Sequence, residues 1–507
     1  MLKSKTERIF VTIGLMIGMF LAALEATAVN TAMPTIVSRL GGLHIYSWVF
    51  SAYVLTSTIS LPFWGRLSDL YGRRRFYIIG IVLFLIGSAL SGQSNSMFEL
   101  ILFRALQGIG GGALLTLGMI ISGEMYSLKE RARIQGLFGS VWGLSSIVGP
   151  VLGGFITDHF SWRWVFYLNI PFGLIASLII GFSLKETRER SREVFIDYRG
   201  AIVLTILITQ LLVALTLFSK GAILYSQISI LMLLGCVPLL WIFIKTQRLA
   251  RDPILPLGLF NNSFFKTSSI TGFLVAMAMF GSISFIPLFI QGVIGTTATK
   301  AGTILTPLLL SWVFFSSISG KLMLRFGYRR IIIFGTAILS VGFFLLTELN
   351  RNTPYELTVL NLLILGSSMG IIFIPLLLAV QNSVSRTYLG IATSTNQFFR
   401  SLGATFGVSI MGMVMGFSMF NDAITNSENI RSSDLKLLES PDLIVDPISR
   451  KLLNPEVIDV LTNLLAHSLK YVFITGFVMA IAAFLSAFFI PKEKFVDIRE
   501  EERVAIN

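Results

Sequence analysis

The sequence predicts an all-α polytopic membrane protein: two six-helix bundles with two helices inserted between them, fourteen transmembrane segments in all. Three observations predict it. Of the 507 residues, 54% are hydrophobic and only 13% charged, against about a quarter charged in a soluble domain. The mean hydropathy is +0.78. The apolar residues also fall into runs of about 20, the length that crosses a hydrocarbon core as a helix. An ordinary soluble enzyme or nucleic-acid binder is excluded, although the net charge of +13 alone would suit the latter.

Taken in order, the first run covers 9–33. Lys3, Lys5 and Arg8 before it imitate a signal peptide, but the run is longer than a signal core and carries Glu25, so it reads as an uncleaved first span. Spans follow at 46–66, 76–92, 98–123, 134–157 and 164–184, then an inserted pair at 200–218 and 226–244. The last six cover 267–290, 302–323, 330–347, 355–380, 390–418 and 468–490. The domain reading is a bundle at 1–184, a linker with two helices at 185–266, and a bundle at 267–507 that includes an outer loop at 419–467. That loop mixes Asp422, Asp434, Asp442 and Asp446 with leucines; a short amphipathic hairpin and a solvated loop both fit.

Charge sets the orientation. Of the 40 Lys and Arg, 28 lie in the N-terminal segment and the alternate connections on its side, ten lie in the other set, and Arg104 and Arg400 fall within spans. The positive-inside bias therefore predicts cytoplasmic termini in the cell membrane. Cys236 is the one cysteine, which rules out an intramolecular disulfide and reads as a small core residue. His44, His159 and His467 lie in expected outer connections and match no metal-ligand spacing, so neither metal nor cofactor is expected.

The chain repeats itself. Gly65-Arg-Leu-Ser-Asp69-Leu-Tyr-Gly72-Arg73-Arg-Arg after span two has a counterpart in Gly320-Lys-Leu-Met-Leu324-Arg-Phe-Gly327-Tyr-Arg-Arg after span ten. Gly108 and Gly112 are echoed by Gly366 and Gly370 at nearly the same offset. A duplicated six-helix unit with a site between the copies describes a transporter. Asp69 corresponds to Leu324 and Arg104 to Leu362, so charge-dependent work is concentrated in the first copy.

Four strings carry chemistry. In Gly65–Arg75, glycines allow a tight turn, Asp69 can accept hydrogen bonds or face a helix N-terminus, and the three arginines can pair across to a neighbouring helix, as in a latch that holds one conformation. Positive-inside topology explains Arg73 to Arg75 and leaves Asp69 between two glycines unexplained. Arg104 opens a run ending in Gly110, Gly111 and Gly112; an arginine at this depth needs a partner, and small residues let another helix close in. Span five carries Gly139, Gly143, Gly149, Pro150, Gly153 and Gly154, a smooth packing face with a kink. Glu25 is the sole carboxylate well inside a span and sits among alanines, which marks it for function. At ~1.5 Å per residue its depth agrees with that of Arg104 within roughly 5 Å, so the two can touch.

Together these strings resemble the fourteen-helix drug:proton antiporter branch of the major facilitator superfamily, over essentially the whole chain. Gly65–Arg75 resembles the family's signature loop, Arg104–Gly112 its arginine motif, Gly139–Gly154 its antiporter motif, and Leu24–Pro34 the first-helix motif of this branch. Asp158 to Pro171, with Trp162, Arg163 and Asn169, is similar to a further string of the same branch. The resemblance implies a major facilitator fold and a monomeric exporter, not an enzyme, that trades protons for lipophilic, cationic drugs, with antibiotic resistance as the outcome. The family usually has Asp where this chain has Glu25, so the coupling carboxylate is one methylene longer. Gln291, Asn361, Asn396, Gln397 and Arg400 are the expected cavity-lining residues. An exporter of one endogenous compound, such as a lipid, siderophore, peptide or amino acid, has the same fold and coupling. A receptor would leave Glu25 and the duplicated loop unexplained, and no nucleophile–base set at membrane depth supports an intramembrane enzyme.

Overall fold

The computed structural model describes residues 5–40, 46–185, 197–218, 223–251, 253–295, 298–351, 353–385, 388–425 and 455–492. Among the described residues the regular structure is helical throughout: α1 (Lys5–Leu40), α2 (Tyr46–Tyr71), α3 (Arg73–Gln93), α4 (Met97–Met125), α5 (Leu128–His159), α6 (Arg163–Tyr167), α7 (Asn169–Ser183), α8 (Tyr198–Phe218), α9 (Ile223–Leu249), α10 (Ser263–Leu288), α11 (Ala298–Phe326), α12 (Tyr328–Thr347), α13 (Tyr355–Asn382), α14 (Leu389–Thr425) and α15 (Pro455–Ala487). Short α6 and α7 together make one apolar span, Arg163–Ser183. Twelve described segments are long and apolar enough to cross a bilayer. The two other expected spans fall on α2 and α5, and α2 holds the shorter apolar stretch Trp48–Leu61.

Apolar burial gathers into two large clusters. One draws on α1 to α5 and α7, from Val11 to Leu184, and takes in Leu377 of α13. The other draws on α10 to α15, from Val275 to Ile490. Helices α8 and α9 stand apart: Leu204, Ile208, Leu212 and Phe243 pack on Leu55 and Ile59 of α2 and Phe398 of α14. The inserted pair thus covers the seam between α2 and α14, while α9 turns Leu231, Leu234, Val237 and Trp241 outward. Cys236, expected in a core, is only partly buried on α9, because that helix packs along one face and leaves the others to lipid.

The repeat is visible atom by atom. Gly72 and Gly327 both precede a helix at positive φ, 108° and 86°, a region that favours glycine. Gly65 and Gly320 are 255 residues apart, Gly108 and Gly366 are 258 apart, and the same offsets relate two hydrogen bonds between helices. Thr56 Oγ1 donates to the Ala105 carbonyl at 2.7 Å, and Ser311 Oγ donates to the Leu363 carbonyl at 2.8 Å. Gly112 lies against the α2 backbone at Ser57 and Gly370 against the α11 backbone at Trp312 and Ser316.

Helix extends into two expected outer connections. Within 419–467, α14 continues to Thr425 and α15 begins at Pro455; residues 426–454 lie outside the described ones, as does His44. His467 belongs to α15 and pairs through Nδ1 with Asp422 of α14 at 2.7 Å, so the helices prolong themselves by polar contact beyond their apolar runs. His159 is the last residue of α5.

Close approach at Gly112 leaves no room for a side chain: a Cβ there would stand 2.7 Å from the Ser57 carbonyl oxygen. Gly112→Val should cost about 1–3 kcal/mol and lower the melting temperature of detergent-purified protein by several degrees. Gly258→Ala, where nothing lies within 4 Å, should leave it unchanged.

Candidate functional site

Glu25 and Arg104 meet. Arg104 Nη1 donates to Glu25 Oε1 at 2.6 Å and to Gln107 Oε1 at 2.7 Å, and both partners of the ion pair are 1% exposed. Gln107 is one turn along α4 from Arg104, so the two share a face. Arg104 Nε also reaches the Val49 carbonyl at 3.4 Å, and the guanidinium lies 4.4 Å from the centroid of the Tyr53 ring. The second carboxylate oxygen of Glu25 accepts from Asn169 Nδ2. Asn169 in turn donates to Ser88 Oγ at 2.9 Å, and Ser88 donates to the Phe166 carbonyl at 2.8 Å.

Local sequence explains this convergence. The chain breaks between α6 and α7 at Leu168, which sets Asn169 at the start of α7. Gly87 of α3 lies against the Gln107 backbone, and Gly108 of α4 lies against the Tyr53 carbonyl. These two glycines let α3, α4 and α2 close around the arginine. A charge withdrawn from water costs several kcal/mol unless paired and hydrogen-bonded, and here each charged group has more than one partner. Asn169 Oδ1 has no partner, so the cluster holds an unused acceptor.

The expected latch residues form a second cluster. Arg73 pairs with Asp69 and donates to Glu124 Oε1 through Nη2 at 2.7 Å and Nε at 3.2 Å. The Asp69 carboxylate lies against Gly390, and Gly65 lies against Ser394, both in the first turns of α14. A carboxylate there faces the positive end of the helix dipole. Gly72 supplies the positive-φ turn between Asp69 and Arg73.

The α5 glycines serve two partners rather than one. Gly139 and Gly143 lie against Ser316 and Val313 of α11, whereas Gly149 and Gly153 lie against Thr27 and Ala28 of α1. Thr27 Oγ1 also donates to the Ser145 carbonyl at 3.1 Å. Pro150 and Gly154 lie within the same unbroken helix.

The expected cavity residues do not form one group. Asn361 is buried against α12, its amide nitrogen 2.8 Å from the Gly342 carbonyl oxygen and its amide oxygen 3.1 Å from the Leu346 amide nitrogen. It therefore serves helix packing, because a buried amide takes the nearest backbone groups. Asn396 donates to Ser269 Oγ at 3.3 Å. Gln291 falls in a π-helical turn, Phe289–Val293, and its side chain is outside the described ones. Gln397 and Arg400 share one face of α14, and Arg400 lies 5.0 Å from the centroid of the Phe373 ring.

Sequence reasoning assigned no role to Gln107, Asn169, Ser88 or Tyr53. The available signal was a polar residue inside an apolar run, and Asn361 gives the same signal for another reason.

Comparison with known proteins adds four findings. The family model described as Major Facilitator Superfamily matches residues 15–408. The chain is 37% identical to the multidrug transporter protein MdtP of Bacillus subtilis (strain 168), over 99% of this chain and 97% of that one. It is 35% identical to multidrug resistance protein 3 of the same organism, over 96% and 95%. Among solved structures, the human organic anion transporter MFSD10 (TETRAN) superposes with a TM-score of 0.62 at 15% identity, over 94% of this chain and 100% of that one, a likeness of fold.

Removing the cation leaves a carboxylate buried without compensation. Arg104→Leu should destabilise the folded protein by about 3–5 kcal/mol, read as a fall in melting temperature. Glu25→Gln with Arg104→Leu should recover part of that loss.

Proposed function

The chain belongs to the Major Facilitator Superfamily, and from that premise we propose that it is a fourteen-span, proton-coupled antiporter exporting lipophilic, cationic amphiphiles from the cell. It is a multi-pass membrane transporter and not an enzyme. The observation that carries the coupling reading is the buried Glu25–Arg104 pair, joined through α1 to α5 and thence to α11.

In this reading the bundles 1–184 and 267–507 alternate access to a site between them, with termini on the cytoplasmic side and residues 185–266 beside them. Two separate apolar clusters support the division. A proton on Glu25 cancels its attraction to Arg104 and gives the carboxyl a hydrogen to donate. The unused Oδ1 of Asn169 is the acceptor such a group needs, reached by turning the amide. One carboxylate gives one proton per cycle. The change at Glu25 passes to α5 because Thr27 and Ala28, two and three residues on, lie against Gly149 and Gly153. The other half of α5 rests on α11.

Asp69 and Arg73 act as the cytoplasmic latch. Gly65–Ser394 and Asp69–Gly390 join α2 to α14 at the end that positive-inside topology assigns to the cytoplasm. Closure there leaves the outside as the route by which a proton enters.

Glu25→Gln protein in proteoliposomes should bind substrate yet fail to drive its accumulation from a pH step; uphill transport by that variant would refute the coupling role. Asp69→Asn should slow exchange by roughly tenfold or more, the loss of about one charge-assisted contact, with substrate affinity unchanged. Weakened affinity at unchanged turnover would refute the latch.

A further inference from the structure

Three charged side chains lie deep within the described spans, Glu25, Arg104 and Arg400, and two of them neutralise each other. Arg400 is about three turns into α14, counted from Leu389, so it lies near mid-membrane. It is partly exposed, and no described side chain or backbone carbonyl pairs with its guanidinium. What it touches is the ring of Phe373 at 5.0 Å, which is itself stacked on Phe280 with centroids 6.3 Å apart. A phenyl face offsets only part of the desolvation of a guanidinium. Gln397, one turn earlier on the same face, is also without a hydrogen-bond partner among the described residues. Its neighbour Asn396 is engaged with Ser269, and Arg104, the other arginine deep within a span, is paired with Glu25 and Gln107.

We infer that Arg400, with Gln397 beside it and the Phe373–Phe280 stack as its wall, binds a carboxylate on the transported molecule, so that acid-bearing amphiphiles are substrates. The inference rests on the transport reading and extends its substrate class beyond simple cations: an amine alone does not satisfy this cation, whereas a carboxylate, with or without an amine elsewhere in the molecule, does. A guanidinium and an adjacent amide N–H together match the two oxygens of a carboxylate. The aromatic wall takes the apolar body.

Pyrenebutyrate and its methyl ester test this, with binding to purified protein read by pyrene fluorescence and efflux read in proteoliposomes under a pH gradient. In Arg400→Gln the affinity for the acid should fall on the order of tenfold or more, while ester binding changes less than about twofold, which also shows that the variant is folded. Arg400→Lys should recover part of the acid binding. Equal losses for acid and ester, or acid binding that survives Arg400→Gln, would overturn the inference. So would wild-type protein that binds the ester and not the acid. If wild-type protein binds the acid through Arg400 yet moves neither probe, the transport reading fails and the carboxylate site stands.

Discussion

A carboxylate and a guanidinium cannot both leave water unless everything around them is placed to compensate, and the pair Glu25–Arg104 imposes that requirement on half of the molecule. Each exposes 1% of its surface, so the partners must come from protein. They arrive on separate elements: Gln107 from α4, Asn169 from the start of α7, Ser88 from α3, and the Val49 carbonyl and Tyr53 ring from α2. The glycines at 87 and 108 bring those helices close enough. Packing of α1 to α7 is thus inseparable from the charge it encloses, and a change of protonation there is felt by several helices at once.

The other cations divide different work. Arg73 sits at a helix end, shared between Asp69 and Glu124, where its pairing ties α3 to α2 and α4 beside the first turns of α14. Arg400 faces the second cluster from α14 with an aromatic ring for company. The inserted helices α8 and α9 carry no charge into the interior; they cover the α2–α14 seam with apolar side chains and present the rest to lipid.

Much of this was legible in the one-dimensional sequence, for a physical reason. Bilayer thickness turns hydropathy into a ruler, so span positions and the shared depth of Glu25 and Arg104 follow from counting residues. The repeat at Gly65 and Gly320 was legible because turn geometry restricts residue choice. What counting does not give is rotation about a helix axis. Asn169 and Asn361 are both buried amides in apolar runs, yet one turns to the ion pair and the other to the α12 backbone. The same blindness hid the outward face of α9 that carries Cys236. It also hid the division of the α5 glycines between α11 and α1.

That division has a mechanical meaning. The C-terminal half of α5 is pinned to α1 by the Thr27–Ser145 hydrogen bond and by backbones in contact at Gly153. Its N-terminal half meets α11 through Gly136 and Gly139 set on Ser317 and Ser316, with Val313 seated against Gly143. One end of the rod is a clamp and the other a bearing. Large side chains at the bearing would act as teeth, each rocking stroke having to lift them out of their sockets. Gly136, Gly139 and Gly143 keep such teeth few, so in the proposed cycle α5 conveys displacement from Glu25 to the opposite bundle against a low barrier.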